Sequence, residues 1–238
     1  GDRVGPVVIV NLALAAILSC AGWWLLYRLT WAGRGQSADS ASAPRSGVGT
    51  GSLSIIIPAR NEEHNLPRLL RSIVDAPDAE LQVIVADDDS TDGTSEVARE
   101  FGAMVISASP LADGWRGKAW ACHQAAKVAT GDTLLFLDAD TWLEPGALPL
   151  LRELFTGGAL SVGPYHHAPR PYEQLSAFFN LLMVSGTVPG RLFGQMLMID
   201  RGSYDRVGGH EAVRGRTLEN FHLARLLSKA GIPVHSMV

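Results

Sequence analysis

The sequence predicts an α/β protein with a mainly parallel sheet and flanking helices, preceded by a membrane-spanning helix. Two observations support this prediction. Short apolar segments typical of buried strands alternate with segments whose apolar residues recur at helical spacing, a pattern that indicates strands joined by helical crossovers. In addition, one segment near the start of the chain has 21 residues without a charge, and about 20 helical residues are enough to cross the core of a bilayer.

The composition limits the class of protein. The chain has 238 residues, of which 47% are hydrophobic and 18% are charged, so it does not have the low hydrophobicity and high charge of a disordered protein. Two cysteines are too few for a disulfide scaffold or a cysteine-rich zinc module. A net charge of -4 argues against nucleic acid as the main partner, because phosphate binding favours a basic surface.

Residues 1–31 are predicted to form an N-terminal transmembrane anchor. The uncharged run is Val7–Tyr27, and Trp23 and Trp24 lie near its end, where aromatic rings favour the headgroup region. A signal peptide would need a basic start and a small-residue cleavage site, and a buried core helix is the remaining alternative. More arginines follow the run than precede it, which predicts a single-pass protein of the cell membrane with its catalytic domain on the cytoplasmic side.

Residues 32–52 are rich in Ser, Gly and Ala and are predicted to be a flexible linker, which leaves 53–238 as the folded domain. The predicted strands are Ser52–Ile57, Leu81–Ala86, Ala103–Ile106 and Thr133–Leu137, and the predicted helices are Glu62–Val74, Thr91–Phe101, Lys118–Ala129 and Pro145–Phe155. Because ligands of parallel sheets bind at the carboxyl ends of the strands, the residues after each strand are the candidate site residues.

Acidic residues follow three of the four predicted strands. They lie in Pro58-Ala59-Arg60-Asn61-Glu62-Glu63, in Asp87-Asp88-Asp89-Ser90-Thr91-Asp92-Gly93-Thr94 and in Asp138-Ala139-Asp140. Crowded carboxylates repel one another unless a cation or hydrogen-bond donors lie among them. Hard divalent cations take one or two carboxylates together with substrate phosphates. Each segment alone could be a helix cap or a loop, but together they predict a diphosphate bound through Mg²⁺ or Mn²⁺.

The segments SIIIPARNEE, VIVADDDSTDGT and LLFLDADTWLEPGAL together resemble the family 2 glycosyltransferases, and the resemblance extends over about Leu53–Gly231. It implies the GT-A fold, in which a Rossmann-like mixed, mainly parallel sheet is flanked by helices. It also implies an inverting enzyme that transfers a sugar from a nucleotide-diphosphate sugar, for which a UDP-sugar is the expected donor, with Mg²⁺ or Mn²⁺ as cofactor.

The resemblance also implies the residues that bind the donor. The nucleotide-sugar-binding residues are expected to be Pro58, Ala59, Arg60, Glu62, Asp87, Asp88, Lys118, Asp138 and Ala139. Of these, Pro58, Ala59 and Glu62 would line the nucleoside pocket, and Asp88 would contact the base with Asp87 beside it. Lys118 can meet a phosphate through its charge.

Asp138-Ala139-Asp140 matches the DxD motif of the family. The match implies that Asp140 binds the metal on the donor diphosphate, while Asp138 lies toward the ribose and the metal. The metal would stabilise the charge that gathers on the leaving diphosphate.

The catalytic base is where the chain departs from the family pattern. Family members usually have a Glu-Asp pair before the last helix, and the Asp is the base; here the pair is Glu219 and Asn220. An amide cannot accept a proton near neutral pH. Both positions remain candidate catalytic residues, and three explanations stay open: Glu219 or another nearby group is the base, the acceptor is already anionic, or this copy is impaired.

A narrower resemblance lies in GWRGKAWACHQ, from Gly114 to Gln124, which is similar to a segment of membrane-bound glycosyltransferases of carotenoid and hopanoid pathways. It implies a lipophilic acceptor such as a carotenoid, a hopanoid or a polyprenyl lipid. Gly117 would allow close approach of the backbone to a ligand. Trp115 and Trp120 could stack on a sugar or base, face the membrane, or pack in the core.

Ala177–Ile199 is a second apolar stretch, interrupted by Gly and Pro, which predicts either an interfacial helix with a buried strand on the acceptor side or a buried pair of elements. His166 and His167 are interpreted as loop residues because they lack a third metal ligand at suitable spacing. Relatives generally continue beyond the last residue, so the domain is expected to be truncated at its C-terminus.

Two other functions were compatible with parts of the sequence. LFLDADTW resembles the motif of haloacid-dehalogenase-like phosphohydrolases, although Trp142 stands where that motif needs Thr or Val and the motif belongs on a first strand. A non-catalytic, membrane-tethered nucleotide-binding module is the other alternative, and Asn220 is the residue that favours it.

Overall fold

A computed structural model of the chain describes residues 51–74, 81–163 and 192–237, all within one compact unit. The predicted anchor, most of the predicted linker, His166, His167 and most of the second apolar stretch lie outside these ranges. Within the described ranges, no helix has both the length and the apolar character needed to cross a membrane.

Seven strands form one sheet in the described part of the chain. They are β1 (Leu53–Ala59), β2 (Leu81–Asp87), β3 (Met104–Ser107), β4 (Thr133–Leu137), β5 (Ala159–Val162), β6 (Met196–Asp200) and β7 (Val234–Met237). Their order is β3-β2-β1-β4-β6-β5-β7, and only β6 runs antiparallel to its neighbours. The predicted mixed, mainly parallel sheet is therefore confirmed.

Helices cover both faces of this sheet. They are α1 (Leu66–Val74), α2 (Thr94–Glu100), α3 (Gly117–Val128), α4 (Ala147–Leu154), α5 (Arg201–Arg206) and α6 (Glu219–Lys229), with a 3₁₀ helix at Gly209–Val213. The central strand β1 is apolar on both sides because alternate residues face different layers. Ile56 packs in the layer that contains α3 and α6, whereas Ile55 and Ile57 pack in the layer that contains α1 and α4.

The boundaries of four predicted elements were wrong by two residues or more, and one of them is α2, which begins at Thr94 rather than at Thr91. β1 does not end before Pro58 but continues to Ala59 along β2. Pairing with β4 stops at Ile56, so the missing N–H of Pro58 breaks no hydrogen bond to β4. α1 starts at Leu66 because the preceding residues form a turn on the carbonyl of Glu62. α4 starts at Ala147 because Gly146, with φ of 82°, is left-handed.

The antiparallel direction of β6 matters for the site. The parallel strands β1, β2 and β4 end at one edge of the sheet, whereas β6 begins at that edge. Crossover helices run opposite to the parallel strands, so α3 and α6 also begin there. The edge therefore collects three strand ends, the loop before β6 and the first turns of two helices.

Candidate functional site

The loops after β1 and β2 are joined by hydrogen bonds between side chains and backbone. The Asn61 carboxamide oxygen accepts from the Thr91 N–H at 2.8 Å. The Gly93 N–H donates to Glu63 Oε2 at 2.8 Å, and the Glu63 N–H donates to Asp92 Oδ2 at 3.2 Å. Asn61 has a φ of 55°, a left-handed conformation that Asn tolerates better than most residues. These contacts hold the two loops in one fixed arrangement.

Asp87, at the end of β2, is engaged within the protein. Its carboxylate accepts the Ser90 N–H at 2.9 Å and the Ser95 hydroxyl. Burial opposes ionisation, but these hydrogen bonds outweigh it and hold the pKa of Asp87 below its ordinary value. The structure thus shows Asp87 shaping the loop that presents its neighbour Asp88.

Asp88 lies against the start of α3. Its side chain is 14% exposed, and its Oδ2 is 3.7 Å from Arg60 Nη1. A Cβ on Gly117 would overlap the Asp88 carboxylate, so the absence of a side chain at that position permits the contact. The predicted close approach at Gly117 is therefore made to Asp88, a residue expected to contact the base.

The DxD segment forms a tight turn after β4. The Asp138 N–H donates to the Gln195 carbonyl at 3.0 Å, which ties the turn to the loop before β6. The Thr141 hydroxyl donates to the Asp138 carbonyl at 2.7 Å. Ala139 is buried and Asp140 is exposed, so the two carboxylates of the motif face different surroundings.

Lys118, in the first turn of α3, lies at the centre of the site. Its Nζ is 2.6 Å from Asp138 Oδ1, 3.2 Å from the Gly194 carbonyl oxygen and 4.0 Å from Glu219 Oε1. Burial lowers the pKa of Lys118, but the charge of Asp138, the hydrogen bond to it and the charge of Glu219 act together to raise the net pKa, so the ammonium stays charged. Burial raises the pKa of Asp138 in spite of the lysine, with Asp140 and Glu219 adding to the rise.

Glu219 and Asn220 have different surroundings. Glu219 faces Lys118, with a side chain that is 20% exposed. Asn220 is buried, and its Nδ2 donates to the carbonyl oxygens of Phe193 at 2.9 Å and Gly194 at 3.3 Å. Leu218, just before them, has a φ of 60°, a costly conformation for leucine of the kind that clusters at functional sites. Glu219 therefore lies near Lys118 and Asp138, whereas the Asn220 amide holds the loop that contains Phe193 and Gly194.

The two tryptophans of the GWRGKAWACHQ segment pack together. The Trp120 indole N–H donates to the Ala108 carbonyl at 2.6 Å, and its ring centroid is 5.0 Å from that of Trp115. The Trp115 centroid is in turn 4.6 Å from that of His123. Of the three roles considered from the sequence, packing is the one for which the structure supplies contacts.

Sequence reasoning missed the groups that lie behind the site. The Phe193 and Gly194 carbonyls stand within an apolar stretch and have no local signal. Tyr204 Oη is 2.9 Å from His210 Nδ1 in the core beside Phe136 of β4, and burial lowers the pKa of His210 to about 3, which keeps the imidazole neutral. The Gly208-Gly209-His210 sequence was the available signal for this pair.

Asp138 and Asp140 are the residues that fit a divalent cation. In the described ranges, no group of three or more His, Cys, Asp or Glu side chains is arranged to hold a metal. Mg²⁺ usually takes one or two carboxylates and completes its shell with phosphates and water. Two neighbouring carboxylates at a strand end suit this requirement. They would hold the cation jointly with a diphosphate rather than in a cage of protein ligands.

Solved structures share this fold. A mannosyltransferase from Pyrobaculum calidifontis, in complex with GDP-Man and Mn²⁺, superposes with a TM-score of 0.66 at 24% identity, covering 95% of this chain and 65% of that one. Glucosyl-3-phosphoglycerate synthase from Mycobacterium tuberculosis, in complex with Mn²⁺, UDP and phosphoglyceric acid, gives 0.56 at 22% identity, covering 79% and 68%. At these identities the likeness shows a GT-A-like fold, as predicted.

Sequence comparisons identify the family. The 4,4'-diaponeurosporenoate glycosyltransferase of Staphylococcus haemolyticus is 37% identical over 207 residues, which cover 80% of this chain and 55% of that protein. The enzyme of the same name from Staphylococcus aureus is 38% identical over 199 residues, covering 77% and 53%. The chain thus spans about half the length of the curated relatives that it matches. The sequence model of Glycosyl transferase family 2 matches residues 54–182, and the chain belongs to that family.

Proposed function

We propose that the chain is the catalytic part of an inverting, metal-dependent glycosyltransferase that moves a sugar from a nucleotide-diphosphate sugar to a lipophilic acceptor. One observation carries the proposal: consecutive residues at the start of α3 touch two strand-end motifs. Gly117 lies against Asp88 after β2, and Lys118 contacts Asp138 after β4. A nucleoside at Asp88 and a diphosphate at the DxD turn would therefore belong to the same ligand, with a UDP-sugar as the expected donor.

Different residues of the chain would bind the nucleoside and the diphosphate of the donor. Pro58, Ala59 and Glu62 border the nucleoside at the end of the central strand, and Arg60 lies next to Asp88. Asp138 and Asp140 would hold Mg²⁺ or Mn²⁺. When bound, the cation supplies positive charge where the leaving diphosphate becomes negative.

Glu219 would be the group that takes a proton from the acceptor, because its carboxylate is partly exposed at the site while the Asn220 amide is occupied by two carbonyls. A base is needed only for a neutral acceptor. The relatives act, by name, on diaponeurosporenoate, and the ending of that name denotes a carboxylate. An acceptor of that class attacks the anomeric carbon without losing a proton, which explains why a chain without Asp at position 220 can be active.

The acceptor is proposed to be a carotenoid, hopanoid or polyprenyl lipid, and the location to be the cell membrane, with a single-pass N-terminal anchor and the catalytic domain on the cytoplasmic side. The uncharged run at Val7–Tyr27 and the GWRGKAWACHQ segment support this part of the proposal. The phosphohydrolase alternative has lost its support, because the chain belongs to a different family and its DxD turn follows β4.

The test is transfer from a panel of UDP-, GDP- and dTDP-sugars to lipid acceptors, with and without Mn²⁺. We expect metal-dependent transfer that Asp140→Ala abolishes and Glu153→Ala, which removes an exposed acid of α4, leaves intact. Phosphatase activity without preference for nucleotide sugars would contradict the proposal. Metal-dependent nucleotide binding without turnover would favour the non-catalytic module.

A second arm separates the two classes of acceptor. Glu219→Gln should lower transfer to an alcohol acceptor by about a hundred-fold, the usual contribution of a general base, and should leave transfer to a carboxylate acceptor within a few-fold of wild type. Equal losses on both acceptors would show that Glu219 is not the base.

A further inference from the structure

The ammonium of Lys118 makes two short polar contacts within the protein and faces a third polar group. A lysine side chain offers three N–H donors. Asp138 Oδ1 at 2.6 Å and the Gly194 carbonyl at 3.2 Å lie within hydrogen-bond range of the ammonium, whereas Glu219 Oε1 at 4.0 Å is at ion-pair distance only. The shortest of these contacts is the ion pair with Asp138, so the ammonium is held at that carboxylate in the absence of ligands.

The same cluster is short of positive charge. Asp138, Asp140 and Glu219 carry three negative charges, and Lys118 is the cation that contacts two of them within the described part of the chain. The formal sum of -3 and +1 is -2, which one divalent cation would neutralise. The side chains of Lys118, Asp138 and Glu219 are 40%, 27% and 20% exposed, so the cluster is accessible to a ligand from solvent.

We propose that Lys118 occupies the place of the divalent cation at Asp138 and is exchanged for it, moving from Asp138 to the diphosphate of the donor when the metal binds. The inference rests on the proposed function for the identity of that donor. In the absence of ligands Lys118 is a positioning residue, because its positive charge offsets the repulsion between the Asp138 and Glu219 carboxylates. It becomes a substrate-binding residue once Asp138 is neutralised by another cation.

The exchange predicts opposite effects of one substitution on two ligands. Lys118→Met removes the ion pair that Mn²⁺ has to break at Asp138, so Mn²⁺ alone should bind more tightly, by at least about five-fold, the factor that corresponds to one ion pair in water. The same variant loses a charge-assisted contact to phosphate, so UDP and GDP should bind about ten-fold more weakly at saturating Mn²⁺. A lysine that only stabilised the fold would not move the two affinities in opposite directions.

The controls use the same helix. Lys127→Met removes an equal charge from an exposed position in the last turn of α3 and should leave both affinities unchanged, which separates the local effect from net charge. Lys118→Arg keeps the charge and should bind Mn²⁺ as the wild type does. Lys118→Gln is a second neutral variant, whose amide can still donate to the Gly194 carbonyl if the Met variant does not fold.

The measurement is Mn²⁺ binding by electron paramagnetic resonance on the full chain without nucleotide, followed by calorimetric titration of UDP and GDP. Tighter Mn²⁺ binding together with weaker nucleotide binding in the neutral variants supports the exchange. Unchanged or weaker Mn²⁺ binding, or unchanged nucleotide binding, overturns it. The Mn²⁺ arm contains no sugar donor, so its failure is distinguishable from a failure to find transfer.

Discussion

Replacing Asn220 by Asp restores the residue type that the family usually has at this position, and we expect the change to damage the protein rather than to improve it. Asn220 is 8% exposed, and its Nδ2 donates to the carbonyl oxygens of Phe193 at 2.9 Å and Gly194 at 3.3 Å. An ionised carboxylate has no donor. Asn220→Asp would therefore replace two hydrogen bonds by two contacts between oxygen atoms.

The magnitude follows from the partners that lose their bonds. The Gly194 carbonyl keeps Lys118 Nζ at 3.2 Å, so the Phe193 carbonyl is the group that loses its shortest hydrogen bond, which costs about 1–3 kcal/mol. The free energy of unfolding should therefore fall by about 1–3 kcal/mol. For a domain of this size that corresponds to a fall in Tm of roughly 2–12 °C. Transfer should not increase, because the loop that supplies the Gly194 carbonyl to Lys118 loses its support.

The assay is thermal unfolding followed by circular dichroism, combined with the transfer assay. Asn65→Asp is the matched control, because Asn65 is exposed and its amide makes one exposed bond to Glu62 Oε2 at 2.8 Å. That variant should change stability by less than about 1 kcal/mol. Wild-type stability together with faster transfer in Asn220→Asp would refute the structural role and show that position 220 can supply the base.

Three further changes test other parts of the structure. Gly117→Ala should displace the Asp88 carboxylate at an overpacking cost of about 1–3 kcal/mol, and should weaken UDP or GDP binding at least about ten-fold. In the control Gly202→Ala, the affinity measured by calorimetry should be unchanged. The pKa of His210 falls from 6.5 unfolded to about 3 folded, so the unfolded state binds the extra proton and stability is lost as pH falls through that range. Between pH 7 and pH 4 the free energy of unfolding should therefore fall by about 3 kcal/mol more in wild type than in His210→Gln. An equal fall in the two proteins would contradict a neutral buried imidazole. Trp120→Phe removes an indole hydrogen bond and should cost about 1–2 kcal/mol of unfolding free energy without changing Mn²⁺ binding; weaker Mn²⁺ binding would show that the ring belongs to the site.

Much of the α/β framework could be predicted from local pattern. The four predicted strands and four predicted helices are present, because the hydrophobic pattern of a buried strand or an amphipathic helix can be recognised within about ten residues. Their ends were less predictable. Pro58 marked the end of β1 in the sequence, but pairing on one side only lets the strand continue to Ala59. The strands β5 and β6 were not resolved from the sequence, since continuous apolar runs do not distinguish a strand from a buried helix.

The candidate site also has a part that could be predicted from the sequence and a part that could not. The residues at the ends of β1, β2 and β4 could be predicted, because the rule that ligands bind at carboxyl ends needs only strand assignments. The contacts of Lys118 could not. Its carbonyl partner Gly194 is 76 residues away, in the loop before β6, and no local sequence pattern predicts that β6 runs antiparallel to its neighbours.

The sequence by itself therefore determined the family, the order of the main elements and the motifs that line one edge of the sheet, because each of these is encoded in residues that are close along the chain. Only the tertiary structure decided how those motifs are used. It placed Gly117 against Asp88 and Lys118 between Asp138, the Gly194 carbonyl and Glu219. It also committed the Asn220 amide to the Phe193 and Gly194 carbonyls. The physical reason is that charge pairing and hydrogen bonding depend on distances in space, and those distances are fixed by the direction of β6 and by the packing of α3 and α6 on the sheet.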